Sequence, residues 1–452
     1  MSTASGEGAI GIVRVSGPDA RSIAKRIFMP SRPRSRWRSR YLYHGHVRDS
    51  VTGRVTDEAL LSFMRGPRSY TGQDVVEISG HGGTVSVSET LRLAIAAGAR
   101  QAERGEMTLR AFLAGKLDLA QAEAVADAVQ ARTPTGLSLA VRQLGGELSR
   151  RVSTIRQDVM AVYAHLEATI DFAEDDVPVP SRESLLAPLR RAQTQLAVLL
   201  ATAHAGKLHR IGVRIALVGR PNAGKSSLLN ALLQSDRAIV TPFAGTTRDV
   251  IEESIDLLGV PAVLADTAGI FKTEDLVEQL GVERSRSALS TAGVVVFLVD
   301  ASAPLTENDR DVASLARAAP GVAVIALNKC DLPRIVGEEE ASSLVPGAAV
   351  VRISALTGAG LEMLRTVIYQ RSGAALGNAP EAATVTSQRH RDALERARQA
   401  LDEAIQAIET DLVADAVSTD LRATLSALGE ITGENVTDEL LTTIFSRFCI
   451  GK

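Results

Sequence analysis

The sequence predicts a multidomain α/β protein: a mixed α+β N-terminal domain, a helical domain, and a P-loop α/β domain inserted into the helical one. Three observations predict it. The stretch Gly219-Arg-Pro-Asn-Ala-Gly-Lys-Ser226 fits G-x-x-x-x-G-K-[ST], with the apolar run Ile215–Val218 leading in and the helical pattern Ser227–Leu233 leading out. Helical periodicity flanks that unit on both sides, to about Ala205 before it and from Ser387 to Phe448 after it. Ahead of these, Ala9–Val15 and Tyr70–Gly83 show the short apolar runs and glycine turns of strands. A chain of 452 residues has room for two to four domains. The expected limits are 1–115 for the N-terminal domain, 116–210 and 374–452 for the two parts of the helical domain, and 211–373 for the insertion. A domain whose termini lie close together can be inserted in this way.

In chain order, Ala9-Ile-Gly-Ile-Val-Arg-Val15 is strand-like, with Ser16-Gly-Pro-Asp19 as the turn after it. Arg32, Arg34, Arg36, Arg38 and Arg40 alternate with Pro, Ser and Trp37. That run reads as a solvated loop before a strand, with a grip on RNA phosphates as the alternative. In Tyr70–Gly83, valines and an isoleucine flank Glu77, and Gly80-His81-Gly82-Gly83 reads as a tight turn into a helix. His81 is then a turn or core histidine. Leu109–Gln130 is alanine-rich with helical spacing, and more helices follow, broken at Thr133-Pro134, Gly145-Gly146 and Val177–Pro180. Ser372–Pro380 reads as a linker, after which Leu394, Ala397, Leu401, Ile405 and Ile408 mark a helix.

The chemistry lies in four stretches, each at a strand end. Glycines let the loop before Ser226 wrap its backbone N–H groups around phosphate oxygens, aided by the helix N-terminus. Lys225 would neutralise the β and γ phosphates, and the Ser226 hydroxyl would ligate Mg²⁺. Asp266-Thr-Ala-Gly269 follows the apolar run Val260–Leu264; its carboxylate can reach the metal through water and the Gly269 N–H can meet the γ-phosphate. Asn328-Lys-Cys-Asp331 follows Val322–Leu327, and a carboxylate there accepts both N1–H and the exocyclic amine of guanine. A site built on such a bond rejects the wrong base by on the order of 10⁴. Ser354-Ala-Leu356 supports the same base. This is the order of P-loop GTPases. The expected GTP site is Asn222, Ala223, Gly224, Lys225, Ser226, Ser227, Thr241, Pro242, Phe243, Ala244, Gly245, Thr246, Thr247, Asp266, Thr267, Ala268, Gly269, Asn328, Lys329, Asp331, Ser354, Ala355 and Leu356. Thr247 gives Mg²⁺ a second hydroxyl or senses the γ-phosphate. Asn222, Thr241, Phe243 and Thr246 are candidates to hold K⁺, since hard oxygen ligands suit it and a cation there takes the charge an arginine finger would stabilise.

Composition narrows the classes. A net charge of −3 predicts no bulk attraction to nucleic acid or membrane, so such contacts must be local. Two cysteines, Cys330 and Cys449, make no disulfide framework or metal cluster and suit a reducing cytosol. The polar opening Met1–Gly8 lacks the basic start of a signal peptide, and no apolar run approaches the ~20 residues of a membrane span. Aromatics at 3% argue against a base-stacking platform. Cys449 stands four from the end, but Gly451 and Lys452 do not suit prenylation.

The combination resembles the tRNA modification GTPase family called MnmE or TrmE. The residues that carry the resemblance are Gly8–Arg14, Ser69–Glu77, Gly80-His-Gly-Gly83, Arg110–Asp118, the phosphate loop, Ala244-Gly-Thr-Thr-Arg-Asp249, Leu428-Gly-Glu-Ile-Thr-Gly433 and Phe448-Cys-Ile-Gly-Lys452. The resemblance covers nearly the whole chain. It implies a homodimer with an N-terminal folate-binding and dimerisation domain, and a complex with the FAD-dependent partner MnmG in a heterotetramer-like assembly. Together they add an aminomethyl or carboxymethylaminomethyl group at C5 of the wobble uridine of tRNA, with 5-formyl- or methylene-tetrahydrofolate as one-carbon source. By position, the folate contacts implied are Arg14, Glu77, Lys116 and Lys452. Arg and Lys suit the pterin carbonyl and the glutamate tail, and Glu77 can accept from pterin N–H groups. Cys449 is a nucleophile by type, or equally a small buried residue.

The position after Asp-x-x-Gly, where small GTPases carry a water-orienting glutamine, is Ile270. The residue that the resemblance puts in that catalytic role is Glu278, and it also implies potassium-promoted meeting of two G domains. Arg248 is either near the phosphates or a loop anchor. Members usually begin with a further strand ahead of the glycines, so an unpaired edge of the N-terminal sheet and a translation start upstream of Met1 are expected. The competing reading is a GTPase switch in ribosome or membrane-associated assembly that modifies nothing.

Overall fold

Alternation of apolar and polar residues folds the N-terminal strands into one antiparallel sheet. In the computed structural model, β1 (Gly8–Ser16), β2 (Phe28–Pro30), β3 (Tyr41–Arg48), β4 (Val55–Met64) and β5 (Val75–Gly82) take the order β1-β5-β4-β3-β2. The described residues are 1–4, 6–32, 36–171, 181–235, 253–266, 288–374, 385–410, 414–449 and 451. They fall into two units, the first of residues 1–129, 143–149 and 429–452 and the second of 130–142 and 150–428.

In the first unit, α1 (Ala20–Ile27) and α2 (Thr84–Ala96) pack on one face of this sheet. Period-two patterning sends Val15, Leu61, Phe63, Val76 and Ile78 into that core, beside Ile23, Ile27 and Leu93. The same period turns Arg14 and Glu77, paired in register, to the opposite face. β5 runs on through Gly82, so Gly80–Gly82 is strand and not the expected turn; Gly83 is the helix N-cap. β1 stands at the edge of this sheet, as expected, and the residues before it meet it at Ile12. Ser2 N–H donates to Ile12 O at 2.8 Å and Ile12 N–H donates to Thr3 Oγ1 at 3.2 Å, covering β1 at that point.

The alanine-rich stretch is two helices, α3 (Glu106–Leu113) and α4 (Leu119–Gln130), because Gly115 in the left-handed region (φ 65°) breaks it. Leu119 and Ala122 of α4 form a second core with Ile444 and Phe445 of a late helix, Asp438–Ser446, and with Phe448.

The second unit holds most of α5 (Pro134–Leu144) and α6 (Glu147–Asp171), then α7 (Arg182–Ile211), which outlasts the expected end near Ala205. Its sheet comprises β6 (Val213–Gly219), β7 (Glu253–Leu257), β8 (Val260–Asp266), β9 (Val294–Asp300), β10 (Val322–Asn328) and β11 (Ala349–Arg352). The order is β11-β10-β9-β6-β8-β7, parallel except for β7 against β8. Helices α8 (Lys225–Ser235), α9 (Glu307–Ala318), α10 (Glu338–Leu344) and α11 (Leu361–Arg371) alternate with its strands. Parallel strands covered on both faces need continuous apolar runs, and every residue of β9 is buried. After residue 385, α12 (Gln388–Glu409) packs on α7, tied by Arg190–Glu409 at 2.8 Å and Gln193–Asp402 at 2.6 Å. Most of α13 (Ala414–Thr432) belongs to this unit, and the Asp438–Ser446 helix is α14.

Candidate functional site

Strand β6 is where the order of the parallel sheet reverses, with β9 on one side and β8 on the other. Ligands of open α/β sheets bind at the carboxyl end of such a strand. There residues 220–224 turn into α8. Asn222 takes φ 61°, which asparagine tolerates, and its side chain is exposed. Gly224 takes φ 102°, and a Cβ on it would stand 2.3 Å from Asn328 Nδ2, so no other residue fits. Lys225 Nζ donates to the carbonyls of Gly219 at 2.8 Å and Arg220 at 3.1 Å, holding an ammonium over the loop. Ser226 and Ser227 are exposed in the first turn of α8, beside the N–H groups that a helix start leaves unpaired.

One buried amide ties three of the predicted stretches together. Asn328 Nδ2 donates to Ala223 O at 2.8 Å, and its Oδ1 accepts from Ala355 N–H at 2.9 Å. The phosphate loop, the end of β10 and the 354–356 loop are thereby held at one sheet edge. Asp331 stands exposed beyond it, Ser354 is buried with its Oγ accepting from Thr357 N–H at 3.2 Å, and Leu356 is exposed. Asp266 ends β8 in register with Leu217. Thr241, Pro242, Phe243, Ala244, Gly245, Thr246, Thr247, Arg248, Thr267, Ala268, Gly269, Ile270 and Glu278 lie outside the described residues.

The sequence analysis missed Asp300, at the end of β9. Lys329 Nζ lies 2.7 Å from its Oδ2, and Arg220 Nη2 lies 3.5 Å from the same oxygen. Arg220 Nε also faces Asp309 Oδ1 at 3.7 Å. Burial raises the pKa of Asp300, but hydrogen bonds from Lys329 and Ser302 outweigh it and hold the carboxyl below its ordinary value. The carboxylate so links a phosphate-loop arginine to the lysine of the base motif. Its signal was available: Val294–Val299 is an apolar run closed by an aspartate.

A second constellation lies in the first unit. Arg14 Nε donates to Glu77 Oε1 at 2.7 Å across the β1–β5 pair, and both side chains are half-buried. Arg14 Nη1 donates to Gly451 O at 3.3 Å, and its guanidinium lies 5.8 Å from the centre of the Tyr70 ring. Gly451 has φ 95°, and a Cβ there would come within 1.8 Å of Met1 O. Lys116 is exposed on the turn between α3 and α4, its Cε 3.9 Å from where a Cβ on Gly72 would stand. The structure therefore gathers Arg14, Glu77, Tyr70 and the neighbour of Lys452. Lys452 itself lies outside the described residues. Cys449 is exposed, so the small-buried-residue reading of it does not hold. His81 is neither in a turn nor in the core: it is exposed on β5, Nδ1 2.6 Å from Asp57, whose hydrogen bond and charge push the imidazole pKa up.

Comparison with known proteins covers the chain from end to end. The family described as "GTP-binding protein TrmE N-terminus" matches residues 1–116, and "MnmE helical domain" matches 119–449. The chain is similar to "tRNA modification GTPase MnmE" of Roseiflexus sp. (strain RS-1), 48% identical over all of this chain and 98% of that protein. The proteins of that name from Heliobacterium modesticaldum and Chloroflexus aurantiacus are each 47% identical over the same shares.

Proposed function

The chain belongs to the MnmE family of tRNA modification GTPases, and from that premise we propose which group it transfers and how its own residues serve the reaction. With the FAD-dependent MnmG and a tetrahydrofolate one-carbon donor, it adds an aminomethyl or carboxymethylaminomethyl group to C5 of the wobble uridine, position 34, of certain tRNAs. The single observation that carries this reading is the Arg14–Glu77 pair capped by the Gly451 carbonyl. A half-open acid–base pair suits a heterocycle with both N–H donors and carbonyl acceptors. Arg14 would face the pterin carbonyl, Glu77 the ring N–H groups, and Lys116 and Lys452 the glutamate tail. When bound, the folate supplies the one-carbon unit.

GTP hydrolysis is the chain's own enzymatic reaction within that modification. The exposed Ser226 hydroxyl and Asn222 amide offer the oxygen donors that hard cations take, so they fit Mg²⁺ and K⁺ respectively. Ser226 with Thr247 would hold Mg²⁺; Asn222 with Thr241, Phe243 and Thr246 would hold K⁺. When bound, these ions would supply positive charge at the phosphates. Lys225 neutralises the β and γ phosphates, Asp331 selects guanine, and Glu278 orients the attacking water. Two chains pair through residues 1–115, and the GTPase part, 211–373, is inserted into a helical domain of 116–210 and 374–452. No described helix is long and apolar enough to cross a membrane. Because the reaction acts on tRNA, we place the chain in the cytoplasm.

Nucleoside analysis of tRNA from cells lacking this gene tests the reading. The C5 group is expected to vanish from position 34 and to return when the chain is restored. Full modification without the gene would refute it.

A further inference from the structure

The loop before β3 and the loop after β4 bring uncompensated positive charge to one end of the N-terminal sheet. Trp37 is buried against Phe28, ring centroids 6.4 Å apart, and Tyr43, 6.0 Å apart. Pinning that indole inward leaves its neighbours Arg36 and Arg38 exposed. Arg40 precedes β3, its N–H donating to Phe63 O at 2.7 Å, which places it beside the end of β4. There Arg65 N–H donates to Ser39 Oγ at 3.0 Å, and Arg40 Nη2 reaches Arg68 O at 3.5 Å. With Arg32, six arginines from two stretches of the sequence, 32–40 and 65–68, stand exposed at this end, although the whole chain carries a net charge of −3. Among the described residues, none of the six pairs with a carboxylate. Arg32, Arg36 and Arg38 line a groove of about 400 Å³ with Tyr41, over whose ring the Arg38 guanidinium lies at 5.8 Å.

We propose that this arginine-lined groove binds the sugar–phosphate backbone of the tRNA that the chain modifies. The inference rests on the tRNA-modification reading and adds a surface to it. These arginines share no carboxylate among the described residues, and keeping several like charges together unpaired costs stability that a polyanion would restore. Guanidinium forks pair bidentately with phosphate oxygens, and contacts of that kind hold the backbone without reading base identity. An acidic protein surface would also pair with such forks, but an RNA backbone offers its phosphates at regular intervals along one strand, which suits a row of them.

The experiment titrates labelled tRNA against the full-length chain and against a variant carrying Arg36→Ala, Arg38→Ala, Arg40→Ala and Arg68→Ala, from 50 to 200 mM salt. Each lost phosphate contact lowers the slope of log affinity against log salt by about 0.9, so four contacts change the wild-type-to-variant ratio by about 10² across that range. The four Lys replacements, which keep the charge, should retain most of the slope. Trp37 is the only tryptophan, so its emission verifies that the variant's N-terminal sheet is folded. GTP hydrolysis without tRNA should be unchanged. Equal slopes for wild type and a folded alanine variant overturn the inference, as does unaltered tRNA binding with lost binding to a protein partner. Both chains are also returned to cells lacking the gene. If wild type restores the wobble modification while the slopes are equal, only the surface is wrong; if wild type does not restore it, the reading itself fails and the inference falls with it.

Discussion

Glu106, the first residue of α3, holds together the turns that flank the Arg14–Glu77 pair. Its carboxylate accepts from Arg100 Nη2 at 2.5 Å, Arg110 Nη2 at 2.7 Å and Glu103 N–H at 2.9 Å. Arg110 then reaches Ser16 O at 3.2 Å, at the end of β1, and Gln73 Oε1 at 3.0 Å, before β5. Burial raises the Glu106 pKa, but the hydrogen bonds from Arg100, Glu103 N–H and Arg110 overcome it and bring it from 4.5 to about 2. At about 1.36 kcal/mol for each pH unit, that fall corresponds to about 3 kcal/mol of folding stability at neutral pH. Glu106→Gln should remove most of it, since the amide loses the charge and turns a donor toward two guanidiniums. Urea unfolding followed by Trp37 emission reads the N-terminal unit, and with an m value of about 2 kcal/mol/M the midpoint should fall by about 1.5 M. The sign with pH follows from a depressed folded value. The contribution is complete above 4.5 and is lost as pH falls toward about 2, so the gap between wild type and variant should narrow over that window. A variant midpoint equal to wild type at pH 7, or a gap that widens in acid, refutes the reasoning.

Asp331→Asn should weaken GTP binding and shift preference toward xanthine nucleotides, because the amide donates where guanine also donates; unchanged GTP affinity in a binding titration removes Asp331 from the base site. Arg14→Ala, Lys116→Ala and deletion of Lys452 should each lower 5-formyl-tetrahydrofolate affinity, with GTP hydrolysis preserved. A charged hydrogen bond is worth about 1.5–3 kcal/mol, or roughly ten- to a hundredfold, and equal folate binding by all three variants overturns that assignment. Hydrolysis should run faster in KCl than in NaCl at equal ionic strength, and Asn222→Ala should erase the difference; equal wild-type rates in the two salts exclude the potassium site. Asp300→Asn strips Lys329 and Arg220 of a shared counter-charge, so calorimetry should find GTP bound about tenfold more weakly, or about 1.4 kcal/mol; an unmoved Kd shows that the link does not position the site.

Much of the second unit was legible because parallel strands and phosphate loops leave local signatures. Ile215–Val218 and Val324–Leu327 are apolar without interruption because both faces of those strands are covered, and Gly224 must be glycine because Asn328 occupies the space of a Cβ. The strand β9 carries the same signature and passed unnoticed because its closing Asp300 belongs to no motif; it acts on Arg220 and Lys329, which do. In the first unit, helical spacing overran Gly115, since alanine content reports propensity and says nothing of a left-handed break. The GHGG stretch read as a turn because glycine is permissive in any conformation, whereas pairing with β1 keeps it extended to Gly82.

The sequence by itself determined the phosphate loop, the base motif and the family, because each depends on residue types at short, fixed spacing. Only the tertiary structure decided which distant residues meet. Arg14 and Glu77 are 63 positions apart and become partners through the register of β1 with β5; a slip of one residue would send them to opposite faces. The alternating arginines read as a solvated loop in the sequence, which does not contain the approach of Arg65 and Arg68, at the end of β4, to Ser39 and Arg40. Charge density is a property of distance in space, and the chain order does not contain that distance.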